Sequence, residues 1–239
     1  MKALVITLEG NSVSEKAAEV CIASHKKFKM EFPIEKTKAT TPEEVESQFK
    51  SLPFKWTYPW DTARVDIKSG LKLTPYTTAD KNKRIACFLS HYHLWKRCVD
   101  ENEPLLILEH DAIFIRPMLN YQYTIDSNYG IIGINNPIGA TRRADIFDNQ
   151  IQTMRGSDLH SDGVVPVPTI DSFDIPQGLA GNSSYIIKPS GAKQLLNALK
   201  EHGAWPNDAL MCKQILPTVL GVTKKYYTKV QGTRSTTTL

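Results

Sequence analysis

The sequence predicts an α/β protein built around a mostly parallel central sheet. Two features carry this prediction. Short apolar runs, at 3–8, at 104–109 and within "NYGIIGIN", have the length and composition of strands buried on both faces of a parallel sheet. Segments with apolar residues three or four positions apart, typical of amphipathic helices, largely alternate with these runs. Such alternation is typical of a sheet whose strands are connected by helical crossovers.

The first 50 residues predict a strand followed by two helices. The run from Ala3 to Leu8 is the first buried strand, and "SVSEKAAEVCIASHKKF" follows as a helix with Ser12 or Ser14 as its N-terminal cap. Residues 31–42 show no decisive pattern. A short helix then begins at "TP" in "TPEEVESQFK", because proline is favoured in the first turn of a helix.

A further helix is predicted to lead into the strand at 104–109. Phe88, Tyr92, Trp95 and Val99 occupy positions i, i+4, i+7 and i+11, which lie on one helical face. The strand that follows ends in two carboxylates with a histidine between them. The carboxyl end of such a strand is where open α/β sheets bind their ligands.

The second half of the chain predicts long loops and two more helices. Proline, glycine and aspartate are frequent from Asn135 to about Asp174, so loops with at most short elements are expected there. The segment "GNSSYIIKPSGAKQLLNALKEHG" predicts a strand, a turn and a helix, with Ser190 as cap and Gly203 as the stop. A last helix is predicted to begin near Pro206.

Length and composition favour one domain and exclude several classes of protein. With 239 residues, 41% of them hydrophobic, the chain can bury a full core. We expect a single domain, 1–239, with a ligand-binding part at 1–115 and a second part, which includes the C-terminal tail, at 116–239. The net charge of +4 is spread along the chain, which argues against a nucleic-acid partner. Four separated cysteines without a CxxC pair favour neither disulfides nor a zinc ribbon.

The N-terminal apolar run is too short for a signal peptide or a membrane span, because it ends at Glu9. We therefore expect no integral membrane segment and a cytoplasmic location. Any contact with the inner membrane surface would be peripheral.

The segment "LPFKWTYPWD" has two interpretations. Phe54, Trp56, Tyr58 and Trp60 alternate, so an extended chain would present their rings on one side, as a platform for a sugar or a base. Alternatively, the rings anchor a long loop to the core, because aromatic side chains bury large areas wherever they can.

The acidic end of the strand at 104–109 is the first candidate site. In an extended chain Glu109 and Asp111 point to one side and His110 to the other. Two carboxylates beyond a strand can hold a hard divalent cation such as Mg²⁺ or Mn²⁺. The alternative is a surface turn with solvated acids.

Other candidate residues can each be interpreted as functional or as structural. His91 and His93 lie on roughly opposite faces of the predicted helix, which argues against a shared zinc ion. Asp208 lies in the first turn of the last predicted helix, as a general base or only as a helix-stabilising charge. Five basic residues could contact a diphosphate, although solvated surface charge is the more common role of any one of them: Arg142, Arg143, Lys224, Lys225 and Arg234.

The segment "CFLSHYHLWKRCVDENEPLLILEHDAIF" resembles the core signature of glycosyltransferase family 25, which includes lipooligosaccharide galactosyltransferases and procollagen galactosyltransferases. The later "GNSSYIIKPSGAKQLL" and "WPNDALM" are similar to further segments of that family. The matching residues of the signature are Cys87, Ser90, His91, Trp95, Glu109, Asp111 and Ala112.

The chain also departs from the family pattern. His110 replaces the middle acid of a Glu-Asp-Asp sequence, and Lys83-Arg84 replaces a Gly-Glu pair. The first strand ends in Thr7-Leu8 where the family has Asn-Leu. These changes affect the predicted donor site and not the fold.

The resemblance implies a Rossmann-like fold of the GT-A type and inverting transfer of a hexose, commonly galactose from UDP-galactose, to a glycan acceptor that can be lipid-linked, as in lipopolysaccharide biosynthesis. It implies Mn²⁺ or Mg²⁺ held by Asp111 and Glu109, with Asp208 as catalytic base. The implied binding residues are Thr7, Ser90, His91, Glu109, His110 and Asp111 for the donor and Asn182 and Tyr185 for the acceptor. Two alternatives remain: a metal-dependent phosphoester hydrolase, and a catalytically silent sugar- or nucleotide-binding domain.

Overall fold

A computed structural model describes residues 1–76, 78–141, 143–154, 163–170 and 172–232. The helices are α1 (Ser12–Lys27), α2 (Val45–Lys50), α3 (Lys81–Asp100), α4 (Tyr121–Asp126), α5 (Ala144–Thr153), α6 (Pro189–His202) and α7 (Asn207–Leu210). The strands are β1 (Lys2–Thr7), β2 (Ile34–Lys38), β3 (Arg64–Val65), β4 (Lys72–Leu73), β5 (Leu105–Glu109), β6 (Ala112–Phe114), β7 (Ile131–Gly133), β8 (Val164–Pro166), β9 (Ser184–Ile187), β10 (Leu220–Thr223) and β11 (Thr228–Val230).

The centre of the molecule is a seven-stranded sheet of order β2-β1-β5-β9-β7-β10-β8. Strands β2, β1, β5, β7 and β10 run in one direction, whereas β9 and β8 run antiparallel to their neighbours. The α/β class and the mostly parallel sheet are therefore confirmed. Three strands of this sheet come from residues 1–115 and four from residues 116–239.

Helices cover both faces of the sheet. Alternate residues of β5 and β9 point to opposite faces, as the two-residue period of a strand requires. Leu105 and Ile107 pack in the larger core, which includes residues of α3 and α6, while Leu106 and Leu108 pack in the smaller core, which includes residues of α1. Because Ile6 of β1 is in register with Glu109, β1 and β5 end side by side at one edge of the sheet.

Helix ends differ in detail from the sequence prediction. The cap of α1 is Asn11, whose side chain accepts hydrogen bonds from the backbone N–H groups of Val13 and Ser14, and not Ser12 or Ser14. The Ser14 hydroxyl instead accepts from the backbone N–H of Leu8. Helix α6 begins one residue before the predicted cap Ser190, because Pro189 suits the first turn.

Other boundaries are confirmed. Thr41 and Pro42 open a 3-10 turn that continues into α2, and the Glu44 carboxylate accepts from the backbone N–H of Thr41. The predicted stripe on α3 packs in the larger core, with Val99 partly buried. Gly203 ends α6 with a φ of 81°, a left-handed backbone region that glycine adopts without strain.

Three elements differ from the sequence prediction. Residues 31–42, left undecided, contain β2, and the segment from 135 to 174 contains the ten-residue helix α5 as well as β8. The helix near Pro206 is the single turn α7. In the described part of the chain, no helix combines the length and apolar character needed to cross a bilayer.

The aromatic segment at 54–60 mainly anchors its loop. Phe54 packs edge-on against Phe88 and Tyr92 of α3, and Trp56 packs edge-on against Phe88. Trp60, at the end of the segment, stacks on Trp56 at a centroid distance of 5.0 Å. The rings thus attach a long loop to α3, which supports the second of the two interpretations.

Candidate active site

The candidate site lies at the carboxyl end of β5. Glu109 is the last residue of this strand, and the chain then turns at His110 and Asp111 before β6 begins. The expectation that Glu109, His110 and Asp111 continue as an extended chain is therefore wrong, because His110 and Asp111 form a turn that leads into the separate strand β6. The two carboxylates nevertheless interact, because the charge of Glu109 helps to raise the pKa of Asp111.

The C-terminal segment holds the turn in place. The backbone N–H of Gln231 donates to the Asp111 carbonyl at 2.8 Å. Its side-chain amide donates to the carbonyls of Ala17, His110 and Ala112 at 2.9, 3.3 and 3.0 Å. One side chain thus ties α1 to both sides of the turn that presents Asp111.

Glu109 is partly exposed and favours the ionised form. Burial alone would raise the pKa of this carboxyl, but the hydrogen bond and charge of His91 and the charge of His110 together lower it below its usual value. The Nε2 atom of His91 lies 3.2 Å from the Glu109 carboxylate. The pKa of His110 is itself lowered, chiefly by burial, which the charge of Glu109 opposes. Glu109 is therefore an anion at neutral pH.

Asp111 is an electrostatically strained carboxylate. Burial, followed by the negative charge of Glu109, raises its pKa to about 7. Its Oδ1 atom is buried and accepts no hydrogen bond from any described residue. A buried carboxylate oxygen without a donor is costly unless a ligand supplies the missing partner.

Asp208 reaches the same site from α7. Its carboxylate accepts from the Tyr76 hydroxyl at 2.9 Å and from the backbone N–H of Ala209 at 3.0 Å. The residue is exposed to solvent, yet the protein surrounding it raises its pKa, mainly by desolvation and to a lesser degree through the charge of Glu109. The Tyr76 hydrogen bond and the charge of Arg84 oppose this rise.

Arg84 introduces a positive charge near Asp208. Its guanidinium lies 4.9 Å from the centre of the Tyr76 ring, and its Nε atom is buried without a hydrogen bond to the described residues. The replacement of the family's Gly-Glu pair by Lys83-Arg84 thus places a cation beside the Asp208 carboxylate.

The Cys87 thiol on α3 is influenced by all three carboxylates. Burial raises the pKa of this thiol, and the charges of Glu109, Asp208 and Asp111 raise it further, whereas the charge of Arg84 lowers it. Of these acids, Glu109 has a carboxylate oxygen within 4.8 Å of the Cys87 sulfur. Cys87 therefore lies beside Glu109 and within electrostatic range of Asp111 and Asp208.

His91 is fully buried and belongs to a hydrogen-bonded chain. Its Nδ1 atom lies 2.8 Å from the Tyr185 hydroxyl, and the indole N–H of Trp95 donates to the same hydroxyl at 2.8 Å. Tyr185 has no exposed surface, because it lies on β9 in the centre of the sheet and points toward α3. The predicted direct contact of Tyr185 with an acceptor thus has no accessible surface to support it.

The remaining predicted residues have different surroundings. The hydroxyl of Thr7 donates to the Val5 carbonyl of its own strand, although Thr7 lies at the same sheet edge as Glu109. Ser90 accepts from the backbone N–H of Thr40 and donates to the Ala86 carbonyl, so its hydroxyl joins the chain after β2 to α3. Both hydroxyls are buried and engaged with protein groups.

Asn182 and its neighbour Ser183 carry polar atoms with no partner among the described residues. Both amide atoms of Asn182 and the Ser183 hydroxyl are buried and without a hydrogen bond. The backbone N–H of Glu109 donates to the Ser183 carbonyl at 2.8 Å, which continues the antiparallel register of β5 with β9. Ser183 therefore lies opposite Glu109 on the same face of the sheet, where its hydroxyl borders the site.

The predicted basic residues lie elsewhere or are engaged. Arg143 donates to the Ile170 carbonyl, and the ammonium of Lys224 donates to the Met154 carbonyl. Lys225 also has an interaction partner. Arg142 and Arg234 lie outside the described residues.

The residues fit a hard divalent cation at the acidic turn. The unpartnered Oδ1 of Asp111 and the ionised Glu109 supply the oxygen ligands that Mg²⁺ and Mn²⁺ prefer. A second group, Cys87, His91 and Glu109, has ligand atoms within 4.8 Å of one another and would suit a softer ion such as Zn²⁺. The two histidines have different surroundings, since His93 is exposed and bonds Gln48 whereas His91 is buried.

Sequence reasoning missed several residues of the site. Arg84 lies three residues before Cys87 and seven before the predicted donor residue His91, so their shared helical face could have suggested that Arg84 belongs to the site. Tyr76 and Gln231 carry no such signal, because they reach the site from segments far from it in sequence. Their contacts depend on the tertiary fold alone.

Comparisons with known proteins identify the family of this chain. The model of the family described as "Glycosyltransferase family 25 (LPS biosynthesis protein)" matches residues 81–211, more than half of the chain, and this range includes Cys87, Glu109 and Asp208. No curated protein matches the sequence significantly. The apo crystal structure of mouse xyloside xylosyltransferase 1 is similar to this chain with 12% identity and a TM-score of 0.47, over 92% of this chain and 84% of that one. The family match shows that this chain belongs to glycosyltransferase family 25 and is a glycosyltransferase.

Proposed function

We propose that this protein is a metal-dependent, inverting hexosyltransferase with a fold of the GT-A type. It would move galactose or glucose from a nucleotide-diphospho-sugar, such as a UDP-sugar, to a hydroxyl group of a glycan acceptor. The observation that carries this proposal is the acidic turn at the carboxyl end of β5, where Asp111 has a buried carboxylate oxygen without a hydrogen-bond donor among the described residues and Glu109 is partly exposed. An accessible cluster of acids at that edge suits a cation and a proton acceptor side by side.

Asp111 and Glu109 are the proposed metal ligands. Asp111 offers a buried oxygen that lacks a donor, and Glu109 offers a carboxylate that is already ionised. When bound, Mn²⁺ or Mg²⁺ would neutralise negative charge that develops on the leaving diphosphate. The hydrogen bonds from Gln231 hold the turn so that Asp111 keeps one orientation toward the donor.

Asp208 is the proposed general base. Its carboxylate is exposed, so an acceptor hydroxyl can reach it, and the Tyr76 hydroxyl fixes its orientation. Desolvation raises its pKa, which makes the carboxylate a better proton acceptor near neutral pH. Asp208 would remove the proton as the acceptor oxygen attacks the anomeric carbon from the face opposite the diphosphate, which inverts the configuration.

The remaining residues would bind the two substrates. His110 and the sheet edge at Thr7 would border the donor diphosphate and nucleoside. His91 would support this edge through its contact with Glu109, and Ser90 through its hydrogen bond to the chain after β2. Asn182, with both amide atoms unpartnered, and Ser183, opposite Glu109, are the candidates for hydrogen bonds to sugar hydroxyls. A lipid-linked glycan is a suitable acceptor class for a member of a family named for lipopolysaccharide biosynthesis.

The test is donor turnover with matched variants. Purified protein is incubated with Mn²⁺ and a panel of UDP- and GDP-sugars, and release of the nucleoside diphosphate is followed with and without glycan acceptors. We expect metal-dependent release from one donor, its loss in Asp111→Ala, and a fall of about 10²- to 10⁴-fold in Asp208→Ala. Asp61→Ala, which removes an exposed carboxylate that forms only a long contact of 4.0 Å with Lys81, should leave the rate unchanged.

The outcomes separate the proposed transferase from its alternatives. Release that needs no acceptor and extends to simple phosphoesters would indicate a hydrolase. If calorimetry shows that a donor binds but no acceptor leads to its turnover, the protein is a catalytically silent domain. If no donor binds, the nucleotide-sugar proposal is contradicted. The anomeric configuration of the product, read by NMR, tests the inverting mechanism.

A further inference from the structure

We propose that Tyr185 and Trp95 are positioning residues that hold His91 in a single tautomer, so that His91 donates a hydrogen bond to Glu109 and fixes its orientation. The inference rests on the proposed role of Glu109 at the metal and donor site. It replaces the predicted contact of Tyr185 with the acceptor by a role that acts through His91.

Four side chains form one continuous hydrogen-bonded chain from the core to the site. The Trp95 indole nitrogen lies 2.8 Å from the Tyr185 hydroxyl, which lies 2.8 Å from His91 Nδ1. His91 Nε2 lies 3.2 Å from the Glu109 carboxylate. Trp95 and Tyr185 have no exposed surface and His91 has 1%, while the Glu109 side chain is 31% exposed and reaches the site.

The group at each end of this series, a donor at Trp95 and an acceptor at Glu109, sets the direction in which the hydrogen bonds are donated. The indole N–H of Trp95 can only donate, so the Tyr185 oxygen accepts from it. The hydrogen of the Tyr185 hydroxyl then has His91 Nδ1 as its acceptor within reach. His91 consequently carries its hydrogen on Nε2, where the ionised Glu109 accepts it.

The opposite arrangement leaves a buried donor without an acceptor. If His91 carried a hydrogen on Nδ1, the Tyr185 oxygen would accept hydrogen bonds from both His91 and Trp95. The hydrogen of the Tyr185 hydroxyl would then find no acceptor among the described residues that it contacts. A buried donor in that state loses its hydration without compensation. The first arrangement satisfies every donor in the chain, and it is therefore the stable one.

Ring packing limits other orientations of the imidazole. The His91 and Tyr185 rings are stacked, with centroids 5.8 Å apart and planes at 15°. Trp95 is held edge-on by Phe88 of the same helix. With no exposed surface at Tyr185 or Trp95, neither ring can turn away without opening the core.

The assignment also disfavours one of the two possible metal sites. A His91 Nε2 atom that carries a hydrogen has no lone pair for a metal, so an ion at Cys87, His91 and Glu109 would have to displace this hydrogen. Glu109 uses one carboxylate oxygen toward His91, and the other remains available for a cation shared with Asp111. Tyr185 thus acts on Glu109 through one intermediate residue, His91, and Trp95 acts through two, Tyr185 and His91.

The first readout is the protonation of the His91 ring, which needs neither metal nor donor. Nitrogen-15 NMR of histidine-labelled protein, with the His91 signal assigned through His91→Gln, should report the Nε2–H tautomer in the wild type. In Tyr185→Phe, which removes only the hydroxyl, we expect a mixture of tautomers. Trp95→Phe is the second variant, and Tyr226→Phe is the control, because it removes a tyrosine hydroxyl that bonds Asp148 of α5.

The second readout is the consequence for the site. Partners that orient a ligating side chain typically change metal affinity or activity by about 10- to 100-fold when removed. We therefore expect Tyr185→Phe to weaken Mn²⁺ binding by about that factor, and to lower kcat with a smaller change in the donor KM. Tyr226→Phe should stay within the error of the wild type in both.

Two results would overturn the inference. One is an unchanged His91 spectrum in Tyr185→Phe, and the other is a changed spectrum with wild-type Mn²⁺ affinity and kcat. If the wild type neither binds Mn²⁺ nor turns over any donor, the proposed function fails, and the NMR spectra still decide whether Tyr185 sets the tautomer. If Tyr185→Phe does not fold, Trp95→Phe carries the same comparison.

Discussion

Replacement of Asp111 by asparagine should stabilise the metal-free protein while it removes metal binding. In the absence of a cation, Asp111 is a half-buried carboxylate with one oxygen unpartnered, and its pKa is raised to about 7 by burial and by the charge of Glu109. Asparagine has nearly the same shape and no charge. The variant therefore removes the electrostatic penalty and leaves the packing of the turn unchanged.

The pH dependence follows from the direction of the pKa change. Because the folded-state pKa lies above the value of about 3.9 in an unfolded chain, the folded protein binds this proton more tightly. The contribution to stability is thus complete below about pH 4 and is lost as the pH rises to about 7. The gap of about three pKa units sets a ceiling of about 4 kcal/mol, since each unit is about 1.36 kcal/mol. Partial exposure and solvent screening reduce this to about 1–2 kcal/mol.

Thermal unfolding at two pH values measures the effect. At pH 8 the melting temperature of Asp111→Asn should exceed that of the wild type by about 2–8 °C, because 1 kcal/mol corresponds to about 2–4 °C for a chain of this size. About a third of the difference should remain at pH 5. Saturating Mn²⁺ should raise the wild-type melting temperature and leave that of the variant nearly unchanged.

The control is Asp61→Asn, which removes the same charge from a side chain that is 87% exposed. It should not shift the melting temperature at either pH. A variant Asp111→Asn that is less stable than the wild type at pH 8 without metal would refute the view of Asp111 as a strained carboxylate. Equal stabilisation of both proteins by Mn²⁺ would show that the cation binds elsewhere.

Three further changes test packing, capping and the acidic turn. Gly191→Ala should destabilise by about 2 kcal/mol, because the new Cβ would lie 2.4 Å from a backbone carbonyl oxygen, and this clash exceeds the gain of about 1 kcal/mol in helix propensity. Urea unfolding measures it, with the exposed Ser190→Ala as control; a stabilised Gly191→Ala would contradict the close approach. Asn11→Ala should lower the free energy of unfolding by about 1 kcal/mol, since two backbone N–H groups lose their acceptor. The urea m-value should not change, and an unchanged free energy of unfolding would mean that the cap is dispensable. Gln231→Ala should weaken Mn²⁺ binding about 10-fold by calorimetry, whereas Gln152→Ala, a matched loss of an amide remote from the turn, should not; equal affinities would disprove its role.

Elements with a strong periodic pattern could be predicted from sequence. The strand at 104–109 and the stripe on α3 each bury most of their apolar residues, so the pattern and the fold agree. The edge strand β2 could not be predicted, because its sequence "IEKTK" has one apolar residue and packs against the sheet on one side only. Such a strand is specified by its partner β1, to which it pairs in parallel.

The composition of the site was predicted better than its geometry. A Glu-x-Asp pair after an apolar run suggested two carboxylates on one side of an extended chain, but a turn begins immediately after Glu109. Tyr185 belongs to a strand in the middle of the sheet, so its ring is buried whatever its polarity suggests. Arg84 and Tyr76 come together with Asp208 only through the long loop that precedes α3.

The pKa changes of Glu109, Asp111 and Asp208 differ in direction, and this difference indicates which of the three carboxylates would gain most from a ligand. Glu109 has His91 as a donor, and its pKa is lowered, whereas those of Asp111 and Asp208 are raised by desolvation. Local conflicts of this kind destabilise a fold and are expected where function requires them. A divalent cation would relieve Asp111, and proton transfer from an acceptor hydroxyl would relieve Asp208. In the proposed function these two acids would divide the chemistry between them, while the hydrogen-bonded chain through His91 would keep Glu109 in place for both.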